Sequence, residues 1–223
     1  MPAVALSVIK TINSELRNRL GELRSNNPKA HNGLWVRGYM KSLEVDEKIK
    51  NEMDIYGFEA GYDHLISKTN QARTYLGIMA GYAQVDKIKV DQDNGYKGKG
   101  DGSVPSVGAY LTWINKNGWY TDTVVRGFLT KLDITNYSAQ GLPITYDAAR
   151  MAVTGSFEFG RRTALYQKGR NGFIVEPKAQ VVYTYMPSKD HKTSLGQKIK
   201  YDTTQSLVTR AALMAAYRRT FAN

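Results

Sequence analysis

The sequence predicts an all-β fold, an antiparallel transmembrane β-barrel preceded by an amphipathic α-helix. Three observations predict it. Alternation of apolar and polar residues recurs in eight long segments, the connections between them sort by length, and the face opposite the apolar one carries acids and bases. The clearest segment is Gly118 to Leu132, GWYTDTVVRGFLTKL. Trp119, Thr121, Thr123, Val125, Gly127 and Leu129 share one face, and Tyr120, Asp122, Val124, Arg126 and Phe128 share the other. A tilted membrane strand needs about 9–11 residues of this kind, whereas a soluble strand is most often about 5–6 long.

Taken in order, residues 4–24 read as a helix. Leu6, Ile9, Ile12, Leu16, Leu20 and Leu23 recur at three- and four-residue steps, and Glu15 and Arg19 form an i,i+4 pair. Ser25, Asn26, Asn27 and Pro28 then end it. From Gly33 the period changes to two, so the chain divides into a helix and turn over 1–32 and a sheet over 33–223.

The first alternating segment, 34–44, sets Leu34, Val36 and Met40 against Trp35, Arg37 and Tyr39. The second, 55–65, sets Tyr56, Phe58 and Tyr62 against Gly57, Glu59 and Asp63, and the third, 73–85, sets Leu76, Ile78 and Tyr82 against Tyr75, Gly77 and Met79. The fourth, 106–114, groups Val107, Ala109, Leu111 and Trp113, and the fifth is the stretch at 118–132. The sixth, 150–162, turns Met151, Val153, Phe157 and Phe159 out and Arg150, Thr154, Glu158 and Arg162 in. The seventh, 173–185, opposes Val175, Ala179, Val181 and Tyr183 with Glu176, Lys178, Gln180 and Thr184. The eighth, 207–218, opposes Ala211, Leu213 and Tyr217 with Arg210, Met214 and Arg218.

Connections after the second, fourth and sixth segments are short (67–71, 115–118 and 168–172), and those after the third, fifth and seventh are long (86–104, 133–148 and 187–202), although the one after the first is brief. Short turns on one side and long loops on the other are the habit of outer-membrane barrels. The charges agree: Arg37 stands one segment from Glu59 and Asp63, Asp122 lies near Arg126, and Glu158 and Arg162 face Glu176 and Lys178. In a hydrated lumen such charges are tolerated, while an Arg or Lys at the lipid midplane costs about 2–4 kcal/mol and a sandwich core would exclude them. Trp113, Trp119, Phe173, Tyr183 and Tyr185, near segment ends, suit interfacial girdles and equally well ordinary strand positions.

Composition narrows function. The absence of cysteine excludes disulfides, thiolate metal sites and a Cys nucleophile. The net charge of +11 is concentrated in two stretches, Lys87, Lys89, Lys97 and Lys99, and Lys189, His191, Lys192, Lys198 and Lys200. We read both as solvated loops able to meet lipid phosphates; no nucleic-acid partner is expected. No run of about 18 apolar residues is present for a membrane-crossing helix. The start, MPAVALSVIK, lacks the basic stretch and cleavage site of an export signal.

No metal-ligand spacing, phosphate loop or nucleophile elbow appears, so no cofactor, metal or catalytic residue is assigned. Asp63 and His64 are the one adjacent acid and histidine, on opposite faces of a strand; His31 and His191 fall in expected loops and read as solvated. The glycines of GYKGKGDGS (95–103) read as loop flexibility. Two other readings are an outer-membrane barrel hydrolase using His64 and a soluble basic β protein binding anionic ligands.

The chain resembles the translocator barrel of autotransporters, the type V secretion proteins of Gram-negative bacteria. The resemblance begins with SELRNRLGELRS (14–25). It continues through GLWVRGYM (33–40), YGFEAGYDH (56–64), YLGIMAGYAQ (75–84), SVGAYLTWINKNGWYTDTVVRGF (106–128), GSFEFGRR (155–162) and FIVEPKAQVVYTY (173–185). It implies a twelve-stranded outer-membrane barrel, of which about eight strands are present, with a helix threaded through the lumen to join an exported passenger to the first strand. On that resemblance Leu16, Arg17, Leu20, Leu23 and Arg24 belong to the pore helix. Arg37, Glu59, Asp63, Asp122, Arg126, Arg150, Glu158, Arg162, Glu176 and Arg210 face the lumen. The partners it implies are outer-membrane lipid, the barrel-assembly machinery, a passenger absent from this chain and a complementing piece carrying further strands. Members that cleave within the barrel carry an Asn-Asn pair in the helix; Ser14 and Glu15 stand at the matching positions, so no such cleavage is expected.

Geometry adds a constraint. Eight closed strands leave room only for side chains, and a helix is about 10–12 Å across. Either the helix lies outside a closed barrel, or the sheet is open with its first and last strands as edges.

Overall fold

The computed structural model describes residues 2–15, 32–46, 50–91, 95–168 and 171–218. Helix α1 (Pro2–Glu15) precedes β1 (Asn32–Asp46), β2 (Lys50–Lys68), β3 (Ala72–Asp91), β4 (Lys97–Asn115), β5 (Trp119–Tyr137) and β6 (Pro143–Arg161). There follow β7 (Thr163–Lys168), β8 (Asn171–Met186), the short hairpin β9 (Lys189–Lys192) and β10 (Lys198–Tyr201), and β11 (Thr204–Arg218). The eight long strands form one antiparallel sheet in the order β1-β2-β3-β4-β5-β6-β8-β11, with β7 paired to β8. Among the described residues β1 and β11 end this path without pairing to each other. Of the two geometric alternatives, the open sheet is the one observed.

Side-chain parity holds across the whole sheet. Along β5, Tyr120, Asp122, Val124, Arg126, Phe128, Thr130, Leu132 and Ile134 are all buried, and their neighbours are not. Because the ladder keeps register, parity on one strand is transmitted to the next. Outward residues thus form rows, such as Leu34, Tyr62, Ile78, Ala109, Val125, Gly155, Tyr183 and Leu207. Leu34, Ile78, Val125 and Leu207 in that row are more than half exposed. An exposed apolar belt of this extent is disfavoured in water and suited to hydrocarbon. Trp119 and Phe159 stack at 4.9 Å toward the short-turn end of the belt, and Phe58 and Tyr82 pair at 6.2 Å nearer the long loops.

The strands run longer than the alternation alone marks, at 15 to 20 residues, so the connections expected to be long at 86–104 and 133–148 shrink to 92–96 and 138–142, and the one after β8 (187–203) stays long. Lys87 and Lys89 therefore lie in β3, and Lys97 and Lys99 in β4, rather than in one loop. The glycines between 98 and 102 are not flexible loop residues either. A Cβ at Gly102 would fall 2.2 Å from the Lys131 carbonyl oxygen, so these glycines let β5 approach β4 closely. The short turn between β4 and β5 closes on Gly118, whose φ of 86° is left-handed and whose N–H donates to the Asn115 carbonyl at 3.0 Å. The sixth strand ends at Arg161. Arg162 donates its backbone N–H to the Gly118 carbonyl at 2.9 Å, and the chain resumes as β7 along the end of β8.

Candidate functional site

The inner face divides along the strand axis. Toward the long connections it is apolar: Ile55, Val85, Leu132 and Ala148 make one cross-strand row, with Met53, Ile88, Ile134 and Tyr146 around it. Helix α1 covers this half, with Val4, Ala5, Val8, Ile9 and Ile12 buried in the same cluster. Val8 and Ile9 are fully buried at 0 %. The helix thus starts at Pro2, earlier than its period marks, and Leu6 packs only at the margin of the cluster. Small and β-branched residues at 3–12 give it a slim body, which allows close contact with the strands.

Toward the short turns the same strands carry an ionic network. Arg37 pairs with Glu59, and the other oxygen of Glu59 lies 2.5 Å from Arg126 Nη2. That nitrogen also donates to Ser106 Oγ at 2.6 Å, and the guanidinium sits over the Phe128 ring at 4.8 Å. Glu59 and Arg126 are essentially inaccessible, at 0 % and 1 %. Pairing offsets the cost of holding these charges away from water, although Arg126 Nε and Nη1 have no hydrogen-bond partner among the described residues. One row nearer the turns, Trp35 Nε1 donates to the Tyr110 hydroxyl at 2.8 Å, which in turn donates to Asp63 Oδ1 at 2.5 Å. Thr112 donates to Asp122, and the Tyr120 hydroxyl lies 2.9 Å from oxygens of both Glu158 and Glu176. Lys178 Nζ stands 3.7 Å from Glu158.

Aromatic rings lie flat over glycines of the next strand throughout this half. A Cβ on Gly77 would meet the Tyr110 ring at 2.0 Å, one on Gly61 the Trp35 indole at 2.4 Å, and one on Gly160 the Tyr120 hydroxyl at 2.6 Å. The missing Cβ is what lets Tyr110 and Tyr120 reach their acids and Trp35 reach the Tyr110 hydroxyl.

The expected inner residues are brought together unevenly. Arg37, Glu59 and Arg126 form one ion-paired group, and Asp63, Asp122, Glu158 and Glu176 take hydrogen bonds from other strands on the same half. Asp122 accepts from Thr112, whereas Arg126 pairs with Glu59. Arg210 donates to Gln180 Oε1 at 3.1 Å on the last strand. Arg162 is a correction: the strand has ended at Arg161, so it sits half-buried in the link to β7 instead of on the inner row. Leu16, Arg17, Leu20, Leu23 and Arg24 lie outside the described residues, as does His31.

Arg150 has a different task. Its Nη2 donates to the carbonyls of Pro187 at 2.9 Å and Asp202 at 3.1 Å, the two sides of the β9–β10 hairpin base, and its guanidinium lies over the Tyr201 ring. The hairpin tip caps the part of β6 beyond the end of its pairing with β8: Ser194 N–H donates to the Thr145 carbonyl at 2.8 Å, and Ser194 Oγ accepts from Thr145 N–H. His191 is therefore not solvated. It is buried against Tyr201, ring centroids 5.3 Å apart, and burial pushes its imidazole below the usual histidine range, aided by Lys189 and Arg150. Asp63 and His64 do point to opposite faces, the first buried and the second exposed.

Trp35, Ser106, Tyr110 and Thr112 were not among the residues singled out from sequence as functional. Their signal was present as parity, since each falls on the inner face, but parity does not say which neighbour a polar side chain will meet.

Comparison with known proteins agrees with this architecture. The family model for the autotransporter beta-domain matches residues 34–223. Pertactin autotransporter of Bordetella bronchiseptica is 30% identical over 207 residues, 91% of this chain and 21% of that protein. The crystal structure of the beta domain of the Bordetella autotransporter BrkA superposes with a TM-score of 0.72 at 24% identity, over 86% of this chain and 74% of that one. The transport unit of the autotransporter AIDA-I from Escherichia coli gives 0.63 at 18%, over 88% and 67%. The chain spans about a fifth of the length of the curated relatives it matches first.

Proposed function

The chain belongs to the autotransporter beta-domain family, and from that premise we propose that it forms the wall of an outer-membrane translocator in a Gram-negative cell. The carrying observation is the position of α1: an apolar helix ahead of β1, buried on the inner face of a sheet whose outer face is an exposed apolar belt. On this reading α1 belongs to the segment that tethers an exported passenger.

The lumen-facing assignment of the inner acids and bases is part of the same proposal, supported by their burial on the face that carries α1. Edges left open in hydrocarbon cost several kcal/mol per unsatisfied backbone group. The edges of β1 and β11 are therefore taken to pair with further strands, in the parent protein or in a complementing piece. Insertion would rely on the barrel-assembly machinery.

Conductance of proteoliposomes holding the full chain, compared with a form lacking residues 1–32, tests the reading. The full chain is expected to conduct weakly and the deleted form strongly. Equal conductance would remove the helix from the pore.

A further inference from the structure

On the outer face two shallow furrows join over β8. The wider, about 750 Å³, has Pro177, Ala179 and Ala211 as its floor, with Trp119 and Phe159 as one wall and Leu213 as the other. The second, about 420 Å³, continues past Ala179 to Val181, Phe157 and Thr209. Register explains the shape. The row Thr121, Phe159, Ala179, Ala211 places two alanines beside a phenylalanine, so the surface drops by most of a ring. Each volume falls in the range of about 300–1,000 Å³ that small-molecule sites occupy.

The furrow has a charged end. Arg161 lies at its rim toward the short turns, its guanidinium 5.1 Å from the centroid of the Trp119 ring, which is itself braced against Phe159. Among the described residues no acid forms an ion pair with it. A guanidinium fixed on an indole face keeps its hydrogen-bond donors directed outward and loses little entropy when it meets an anion. From Arg161 to Phe157 the strand advances about 13 Å at 3.3 Å per residue. With barrel strands tilted by about 35–45°, this stretch descends about 10 Å, within one leaflet of the ~30 Å hydrocarbon core of a bilayer.

We propose that this furrow is a phospholipid site, with one acyl chain lying along Ala179 and Ala211 and the phosphate held by Arg161. The inference rests on the outer face meeting lipid, as proposed above. The charge is at the end expected for a headgroup, since short turns of such barrels face the periplasm, and the length fits one leaflet. A second copy of the chain would bring another apolar belt and leave Arg161 without an anion. The Trp119–Phe159 wall and the Pro177–Ala179 floor belong to interior strands, while Ala211 and Leu213 lie on β11 at the end of the sheet.

The full chain in nanodiscs, doped with a phosphatidylglycerol carrying a photoreactive group on its acyl chain, provides the test. Cross-links mapped by mass spectrometry are expected to concentrate on 157–161, 177–181 and 209–213 over the control face around Val36 and Met40. The paired change Ala179→Phe and Ala211→Phe, which fills the furrow from the lipid side, should abolish that preference. Arg161→Gln should lower labelling of the furrow by roughly tenfold, as expected for loss of a charge-assisted phosphate contact. It should leave labelling by the matching photoreactive diacylglycerol unchanged.

Cross-links spread over the outer face in proportion to exposed area would overturn the site while leaving the membrane reading intact. Cross-links absent from every outward row would overturn both. Equal labelling by the two probes in the unmodified chain would remove the headgroup contact and with it the proposal.

Discussion

Toward the long connections, Val8 and Ile9 of α1 close over Ile55, Val85, Leu132 and Ile134; toward the short turns, the same strands present Glu59, Asp63, Asp122 and Arg126 to one another. In the first half each fully buried aliphatic side chain contributes about 1.5–3 kcal/mol through lost water contact. In the second, desolvation of two charges can exceed their attraction, so the ion pairs add little net stability and act mainly by penalising wrong arrangements. Apolar contact tolerates sliding, whereas Glu59 satisfied by both Arg37 and Arg126 does not. One half secures the helix, and the other secures register across β1, β2, β4 and β5.

The largest effect should come from breaking the ionic half on one side only. Glu59→Gln leaves Arg126 buried with its counter-charge gone, and we expect a loss of about 3–5 kcal/mol, read as a shift in the urea midpoint of the chain in detergent micelles. Replacing both partners, Glu59→Leu with Arg126→Met, should cost much less. If the single change costs under about 1 kcal/mol, in the range of an exposed pair, this half is wet and the contrast fails.

Ile9→Ala attacks the apolar half. Removing a fully buried aliphatic group should cost about 2–5 kcal/mol and expose Lys10 to trypsin, while Val125→Ala on the lipid face leaves that cleavage unchanged. A third change sharpens the boundary between the halves. Gly77→Ala pushes a methyl into the Tyr110 ring and should cost about 1–3 kcal/mol through overpacking. Combined with Tyr110→Ala its additional cost should vanish, because the two residues are in contact and their effects are not additive.

The smallest effect is a pH dependence at the hairpin. His191 is held below its ordinary pKa in the folded chain, mainly by burial and further by Lys189 and Arg150, against the opposing influence of the Asp147 backbone and Asp190. The docked hairpin is therefore fully stable above the unfolded value of about 6.5 and loses stability as pH falls through the folded value, since the undocked form binds the proton more readily. Proteolysis within 187–203 should rise between pH 7.5 and pH 5 in the parent and stay flat in His191→Phe. A parent that is equally resistant at both pH values would show that the histidine is not buried in solution.

Much of this was legible in the residues. Trp35, Arg37 and Tyr39 against Leu34, Val36 and Met40 predicted the two faces of β1, and the pairing of Arg37 with Glu59 followed from adjacency of the first two strands. The lysine-rich stretch after β8 was read as a solvated loop because composition cannot show that Ser194 and Thr145, 49 residues apart, exchange hydrogen bonds. Arg162 was assigned inward because parity was continued one residue past a break that only the Gly118 carbonyl creates.

The sequence by itself determined which side chains face hydrocarbon and which face inward, since direction alternates at every residue of an extended chain and needs no partner to decide it. The tertiary structure decided which acid meets which base, that the sheet stays open around α1, and that His191 is buried. Each of these depends on bringing together segments that lie between 10 and more than 100 residues apart, and no local period encodes that distance.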